Sequence, residues 1–157
     1  GMLHVTNVPN FEYILIDGKS TDKTVEIIKS FENKFKEKEI AYQWISEKDT
    51  GIYNAFNKGI KLSKGTWISF LGSDDMYLKN AIKTYNENIF NLKNEADFVY
   101  ANILKNHKLI ISKKWTWKTF KRKMTIAHVG SFHHKNYFKN HGFFNEDYKI
   151  AGDFEVY

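Results

Sequence analysis

Thr66-Trp67-Ile68-Ser69-Phe70-Leu71-Gly72-Ser73-Asp74-Asp75 is the stretch whose reading decides the fold. Aromatic and β-branched residues alternate from Thr66 to Leu71 behind a Lys64-Gly65 turn, which predicts a buried strand. Gly72-Ser73 then bends the chain and leaves two carboxylates at the strand's carboxyl end, where an open α/β sheet receives a nucleotide and its metal. Hard oxygen ligands at such a bend suit Mg²⁺ or Mn²⁺. Ser73-Asp74-Asp75 would equally well cap a following helix, so on these residues alone a metal site and a helix cap stand level.

Working outward, Phe11 to Asp17 reads as a buried strand ending in an acid, and Gly18-Lys19-Ser20 turns into a helix from about Asp22. Val25, Ile28, Phe31 and Phe35 keep helical spacing, with Ser20 or Thr21 as N-cap. Ile40 to Ser46 reads as a strand, Gly51 to Ser63 as an amphipathic helix, Lys79 to Phe90 as another, and Asp97 to Leu104 as a strand. Asn106-His107-Lys108 turns a hairpin into Leu109-Ile110-Ile111. The alternation predicts an α/β domain spanning residues 1–157, a mostly parallel sheet with helices on both faces.

The composition narrows the function classes. A hydrophobic content of 42%, with 17% aromatics, supports a packed core, and the absence of cysteine excludes disulfides and thiolate metal sites. No apolar run reaches the length of a membrane span and the start lacks signal-peptide architecture, so a cytoplasmic location is expected. The net charge of +6 is almost all lysine, with Arg122 the only arginine, which argues against base-reading of nucleic acid. The basic, tryptophan-bearing stretch Lys113 to Lys123 could meet an anionic membrane surface or a phosphate backbone, although a solvated amphipathic face weighs more heavily.

Two motifs fail on spacing. Gly18-Lys19-Ser20-Thr21 has the end of a P-loop, but its first glycine would fall on Tyr13, inside the strand. His128, His133, His134 and His141 have no zinc-protease spacing. Asp17, closing a central strand, suits a base or ribose as well as an Asx turn, and Asp49 or Thr50 can cap the helix that follows.

Together these segments resemble family 2 glycosyltransferases, inverting enzymes of GT-A fold that use nucleotide sugars. The resemblance rests on Ile16 to Thr24, on Ser46-Glu47 through Asn57-Lys58-Gly59-Ile60, on Phe70 to Asp75, and on the tail from His128 to Glu155, in the family's order. It implies that Asp17 and Asp49 hold the nucleoside, Gly18 standing where many relatives have a second aspartate. It implies that Asp74 and Asp75 hold Mn²⁺ or Mg²⁺ on the diphosphate, Asp74 also facing the nucleotide, with Gly72 departing from a full D-x-D. In Ile150-Ala151-Gly152-Asp153-Phe154-Glu155 it points to Asp153 as catalytic base, with Glu146 and Asp147 as rivals, and it places His128 on the acceptor side. The expected reaction is metal-assisted transfer with inversion from a nucleotide sugar, a UDP-sugar foremost, to a glycan or lipid-linked acceptor in cell-envelope polysaccharide synthesis. Peripheral contact with the inner membrane face is the expected location if Lys113 to Lys123 engages lipid. Only Met2 to Pro9 stand where relatives have a first strand and helix, so a partial domain is expected, with an exposed edge that a homo-oligomer would cover. The rival expectation is a non-catalytic GT-A remnant acting as a binding module.

Overall fold

The computed structural model describes residues 11–92, 95–110, 116, 118 and 126–149. They fall into two compact units, 11–66 with 141–149, and the described part of 67–140. Among them no helix is long and apolar enough to cross a membrane.

The first unit is built on a parallel pair. Strand β1 (Glu12–Asp17) lies beside β2 (Ala41–Ser46), in register from Glu12 opposite Ala41 to Asp17 opposite Ser46. A parallel pair requires a crossover, which α1 (Thr24–Ser30) and α2 (Glu32–Glu37) supply by burying Ile28 and Phe35. Phe35 stacks on Tyr42 with ring centroids 4.4 Å apart and on Tyr13 at 5.4 Å. Helix α3 (Ile52–Leu62) buries Tyr53, Asn57 and Ile60, a stripe at i, i+4 and i+7. Phe144, from the returning tail, packs within 5.6 Å of Tyr53 and Phe56.

The single helix expected from Asp22 is instead two. Ser30 Oγ donates to the Ile27 carbonyl at 2.7 Å, the acceptor that an α-helical Phe31 N–H would need, and that N–H bonds Ile28 at 3.2 Å instead. Such back-bonding by serine weakens a helix locally. Neither Ser20 nor Thr21 caps it: Asp22 accepts from the Thr24 N–H at 2.9 Å, while Ser20 turns back to Asp17.

In the second unit β7 (Ser131–His134) lies between β3 (Trp67–Ile68) and β4 (Phe98–Tyr100) and runs antiparallel to both. Parallel pairing among the described strands is thus that of β1 with β2, within an architecture that remains α/β. Helices α4 (Ala81–Asn91) and α5 (Lys135–His141) follow β3 and β7. Strand β3 is shorter than the expected Thr66 to Leu71 because the Ser69 side chain takes the Ser131 carbonyl at 2.7 Å, ending the ladder at Ile68. The strand expected from Asp97 to Leu104 breaks at Ala101-Asn102, where the Ala101 N–H crosses to the Gly130 carbonyl. Its continuation, β5 (Ile103–Lys105), pairs with β6 (Lys108–Ile110) through Asn106 and His107, both at positive φ, as a tight hairpin turn demands.

His133 is fully buried against Phe70, Phe98 and Phe138. Burial first, and the neighbouring His128 second, push its pKa down to about 3, so it is neutral in the core at ordinary pH. Gly130 is required by close approach: a Cβ there would sit 2.8 Å from Ile103 Cγ2 and 3.1 Å from the Ala101 carbonyl oxygen. Gly130→Ala should therefore destabilise the protein by about 1–3 kcal/mol, the usual cost of overpacking. A urea midpoint equal to wild type would show that the neighbouring strands yield freely.

Candidate nucleotide and metal site

Asp17 ends β1 directly opposite Ser46 at the end of β2. Asp17 as a residue is 5% exposed, and its carboxylate accepts from the Ser46 hydroxyl at 2.6 Å, the Ser20 N–H at 3.0 Å and the Ser20 hydroxyl. Burial pushes the carboxyl upward, but hydrogen bonds from the Ser20 and Ser46 hydroxyls and from the Ser20 and Lys19 backbone outweigh it. The net pKa lies below the usual carboxylate value, so Asp17 stays ionised and fixes the β1–α1 turn. Lys19 in that turn takes a left-handed conformation, φ 67°.

Asp49 stands over this turn. A Cβ at Gly18 would lie 2.6 Å from Asp49 Oδ2, so the carboxylate fills the space that a side chain at 18 would need. Asp49 Oδ1 accepts from the Gly51 N–H at 3.2 Å, just before α3 begins. Asp49 thus places a carboxylate where a side chain at 18 would stand. Asp17 and Asp49 meet at the same turn: Asp17 is held by donors from the turn and from β2, and Asp49 by the Gly51 N–H.

In the second unit Asp74 and Asp75 occupy the exposed loop after Phe70. Both fold back over Gly72: a Cβ there would lie 2.8 Å from Asp75 Oδ2 and 3.1 Å from Asp74 Oδ1. The Asp75 N–H returns to the Gly72 carbonyl at 3.1 Å, which makes the turn. Tyr77 closes the base of the loop through its hydroxyl on Ser69 Oγ at 2.6 Å, and Ser69 is itself bonded to Ser131. The helix that follows starts only at Ala81, with Asn80 at its N-cap, so the two aspartates do not cap it. Among the described residues no group of three or more His, Cys, Asp or Glu could hold a metal by itself. Two carboxylates fit a cation that keeps waters and shares its remaining positions with phosphate oxygens, the usual habit of Mg²⁺.

His128 begins a short 3₁₀ turn (His128–Gly130) and stacks on Phe70 with centroids 5.2 Å apart and planes 18° from parallel. It is half-buried against the strand that leads to Asp74 and Asp75. His134 and His141 make no such arrangement: His134 meets the edge of Trp67, and His141 is exposed at the end of α5. Of Lys113 to Lys123 only Thr116 and Lys118 are described, both exposed. Asp153 lies outside the described residues.

Of its two rivals, Asp147 is exposed in a turn. Glu146 accepts from Asn54 Nδ2 at 2.7 Å and Asn57 Nδ2 at 2.8 Å. Those amides, that of Asn57 foremost, hold its carboxyl below the ordinary range against the opposing effect of burial, with Lys61 and Lys58 adding to them. A carboxylate so held is a poor proton acceptor. Sequence reasoning did not single out Asn54, Asn57 or Lys149 individually. The signal was present at Asn57, a polar residue on the apolar stripe of α3.

The chain belongs to glycosyl transferase family 2, whose model it matches over residues 3–157. It is 29% identical over 154 residues to a PGL/p-HBAD biosynthesis glycosyltransferase of Mycobacterium tuberculosis, covering 93% of this chain and 56% of that protein. The chain thus spans about half the length of such relatives. Over 80 residues it is 39% identical to the dolichyl N-acetyl-alpha-D-glucosaminyl phosphate 3-beta-D-2,3-diacetamido-2,3-dideoxy-beta-D-glucuronosyltransferase of Methanococcus voltae, covering 48% of this chain and 24% of that enzyme. In structure it matches Staphylococcus aureus TarS 1-349, solved in complex with UDP, with a TM-score of 0.65 at 19% identity over 93% of this chain and 44% of that one. The fold is accordingly GT-A-like.

Asp17 has a lowered folded pKa, so it contributes stability at pH values above its unfolded pKa, near 3.9, and that contribution is lost as pH falls through the lower folded value. Asp17→Asn should be less stable than wild type at neutral pH by about 1–3 kcal/mol, since an amide has one acceptor oxygen and turns its NH₂ against the remaining donor. The gap should narrow on acidification below the ordinary carboxylate range. Urea melts of both proteins at pH 7 and pH 3 measure this, and a gap that widens at pH 3 would reverse the sign assigned to Asp17.

Proposed function

We propose that this chain carries the donor-binding half of an inverting glycosyltransferase that moves a sugar from a nucleoside-diphosphate donor to a glycan or lipid-linked acceptor hydroxyl. The observation that carries the reading is the pair Asp74 and Asp75, both folded back over Gly72 and open to solvent. Asp49 meets the nucleoside, and Asp17 keeps the turn beside it rigid. UDP is the nucleoside diphosphate favoured for the donor, supported by the UDP complex of TarS. The names of two relatives, a PGL/p-HBAD biosynthesis glycosyltransferase and a dolichyl-linked glucuronosyltransferase, support glycoconjugate biosynthesis as the setting, and envelope glycan assembly is our reading within it.

Mn²⁺ or Mg²⁺ held by Asp74 and Asp75 would neutralise charge on the departing diphosphate, a Lewis-acid contribution worth several kcal/mol. In the transfer the acceptor oxygen bonds to the anomeric carbon as the bond to the diphosphate oxygen breaks, and a single displacement inverts the centre. Asp153 takes the acceptor hydroxyl proton. Glu146, already engaged by two amides, is not available for that step. His128, stacked on Phe70, would hydrogen-bond an acceptor or phosphate oxygen beside the metal loop.

Two measurements separate the roles. In a thermal-shift series with UDP, GDP, CDP and dTDP, the Asp74→Asn/Asp75→Asn double variant should keep its melting temperature and lose the Mn²⁺-dependent part of the nucleotide-induced rise. Equal Mn²⁺-dependent rises in variant and wild type would remove the metal from these residues. Asp153→Asn should bind the nucleoside diphosphate normally and lower transfer about 10²- to 10⁴-fold, the range for loss of a general base. Unchanged transfer would pass the proton to another group.

A further inference from the structure

Residues 144–149 return to α3 through a dense set of contacts. Asn57, 3% exposed, pairs with the Phe144 backbone in both directions: its Nδ2 donates to the carbonyl at 2.8 Å and its Oδ1 accepts from the N–H at 3.0 Å. Two residues on, the Glu146 carboxylate takes one amide at each oxygen, from Asn54 and Asn57. Asn54 and Asn57 are one helical turn apart, so one face of α3 holds the whole strap.

The same strap reaches the loop that carries Asp49. Lys149 Nζ donates to the Thr50 carbonyl at 2.9 Å. On the other side of Asp49, Lys58 Nζ donates to the Lys48 carbonyl at 3.1 Å and pairs with Glu47 at 2.9 Å. The carbonyls flanking Asp49 are therefore each held by a lysine, one from α3 and one from the returning tail. All of these residues belong to one compact unit.

We propose that Glu146 is a positioning residue: with Asn54, Asn57 and Lys149 it latches residues 144–149 to the Asp49 loop, so that nucleoside-diphosphate binding and ordering of this strap are energetically coupled. The inference rests on the reading of Asp49 as a nucleotide contact. The strap leads in sequence to Asp153, so the latch ties donor occupancy to the segment proposed to carry the base. Coupling of this kind is reciprocal: if the ordered strap binds the nucleotide more tightly by some factor, the nucleotide shifts the strap toward order by the same factor.

Glu146→Gln keeps the shape but exchanges two charge-assisted hydrogen bonds for neutral ones, which are about half as strong. The double variant N54D/E146Q reverses donor and acceptor, because a carboxylate at 54 can accept from the new amide at 146. Hydrogen exchange of peptides covering 144–149, with and without UDP and Mn²⁺, reads the strap; calorimetric titration of the same ligand reads affinity. UDP should slow exchange of the strap in wild type. E146Q should bind UDP about fivefold or more weakly and lose that added protection, and the double variant should regain both.

Circular dichroism and melting temperature establish that each variant is folded. If E146Q fails to fold, Lys149→Met, which frees only the Thr50 carbonyl, should show the same paired loss. UDP binding in wild type without added protection at 144–149 overturns the coupling alone. Wild-type affinity and protection in a folded E146Q, or no recovery in the folded double variant, overturns it as well. If GDP, CDP and dTDP as well as UDP fail to bind wild type, the nucleotide reading falls and the coupling with it.

Discussion

A buried carboxylate at the end of a parallel strand pair sets the terms for the first unit. Asp17 is stable there only if donors meet it, because an ionised group withdrawn from water without partners would cost several kcal/mol. Ser46 is supplied by the strand register itself, and Ser20 by a turn that folds back instead of continuing into a helix. The start of α1 at Thr24, the left-handed Lys19 and the position of Gly18 under Asp49 all belong to that turn. What resembles a phosphate-gripping sequence at Gly18-Lys19-Ser20 is the hydrogen-bonding shell of one acid.

The second unit solves its polar accounting with backbone carbonyls. Gly130 receives the Ala101 N–H and the Tyr85 hydroxyl, and Ser131 receives Ser69. Burial drives the Tyr85 phenol up to about 12, so it remains a donor. These bonds draw the strand ends around β7 and leave the loop of Asp74 and Asp75 as an exposed turn on a rigid base.

Much of this was legible in the sequence, and the limits are physical. The order of strands and helices in the first unit, the amphipathic α3 and the Asn106-His107 hairpin all follow from periodicity and turn chemistry. The failures occur where a short side chain competes with the backbone: Ser30 divides a helix, Ser69 shortens β3, and Ser20 abandons the cap for Asp17. The antiparallel placement of β7 follows from long-range pairing that no local pattern encodes. At the site, the juxtaposition of Asp74 with Asp75 was readable from adjacency. The meeting of Asp49 with Gly18 was not, since it depends on how two loops 31 positions apart cross the same strand ends. Glu146 shows the converse: its acidity was visible, but its capture by Asn54 and Asn57 required the fold.

The contact between Gly18 and Asp49 bears on how such a sequence can change. A side chain at 18 and the Asp49 carboxylate in its present rotamer claim the same volume. Asp49 Oδ2 is the far end of a side chain that can turn, so a residue at 18 costs a rotamer change at 49 and no movement of backbone. A substitution at 18 is therefore read out through where the carboxylate at 49 points. Identical changes at 18 then carry different consequences in backgrounds that differ at 49.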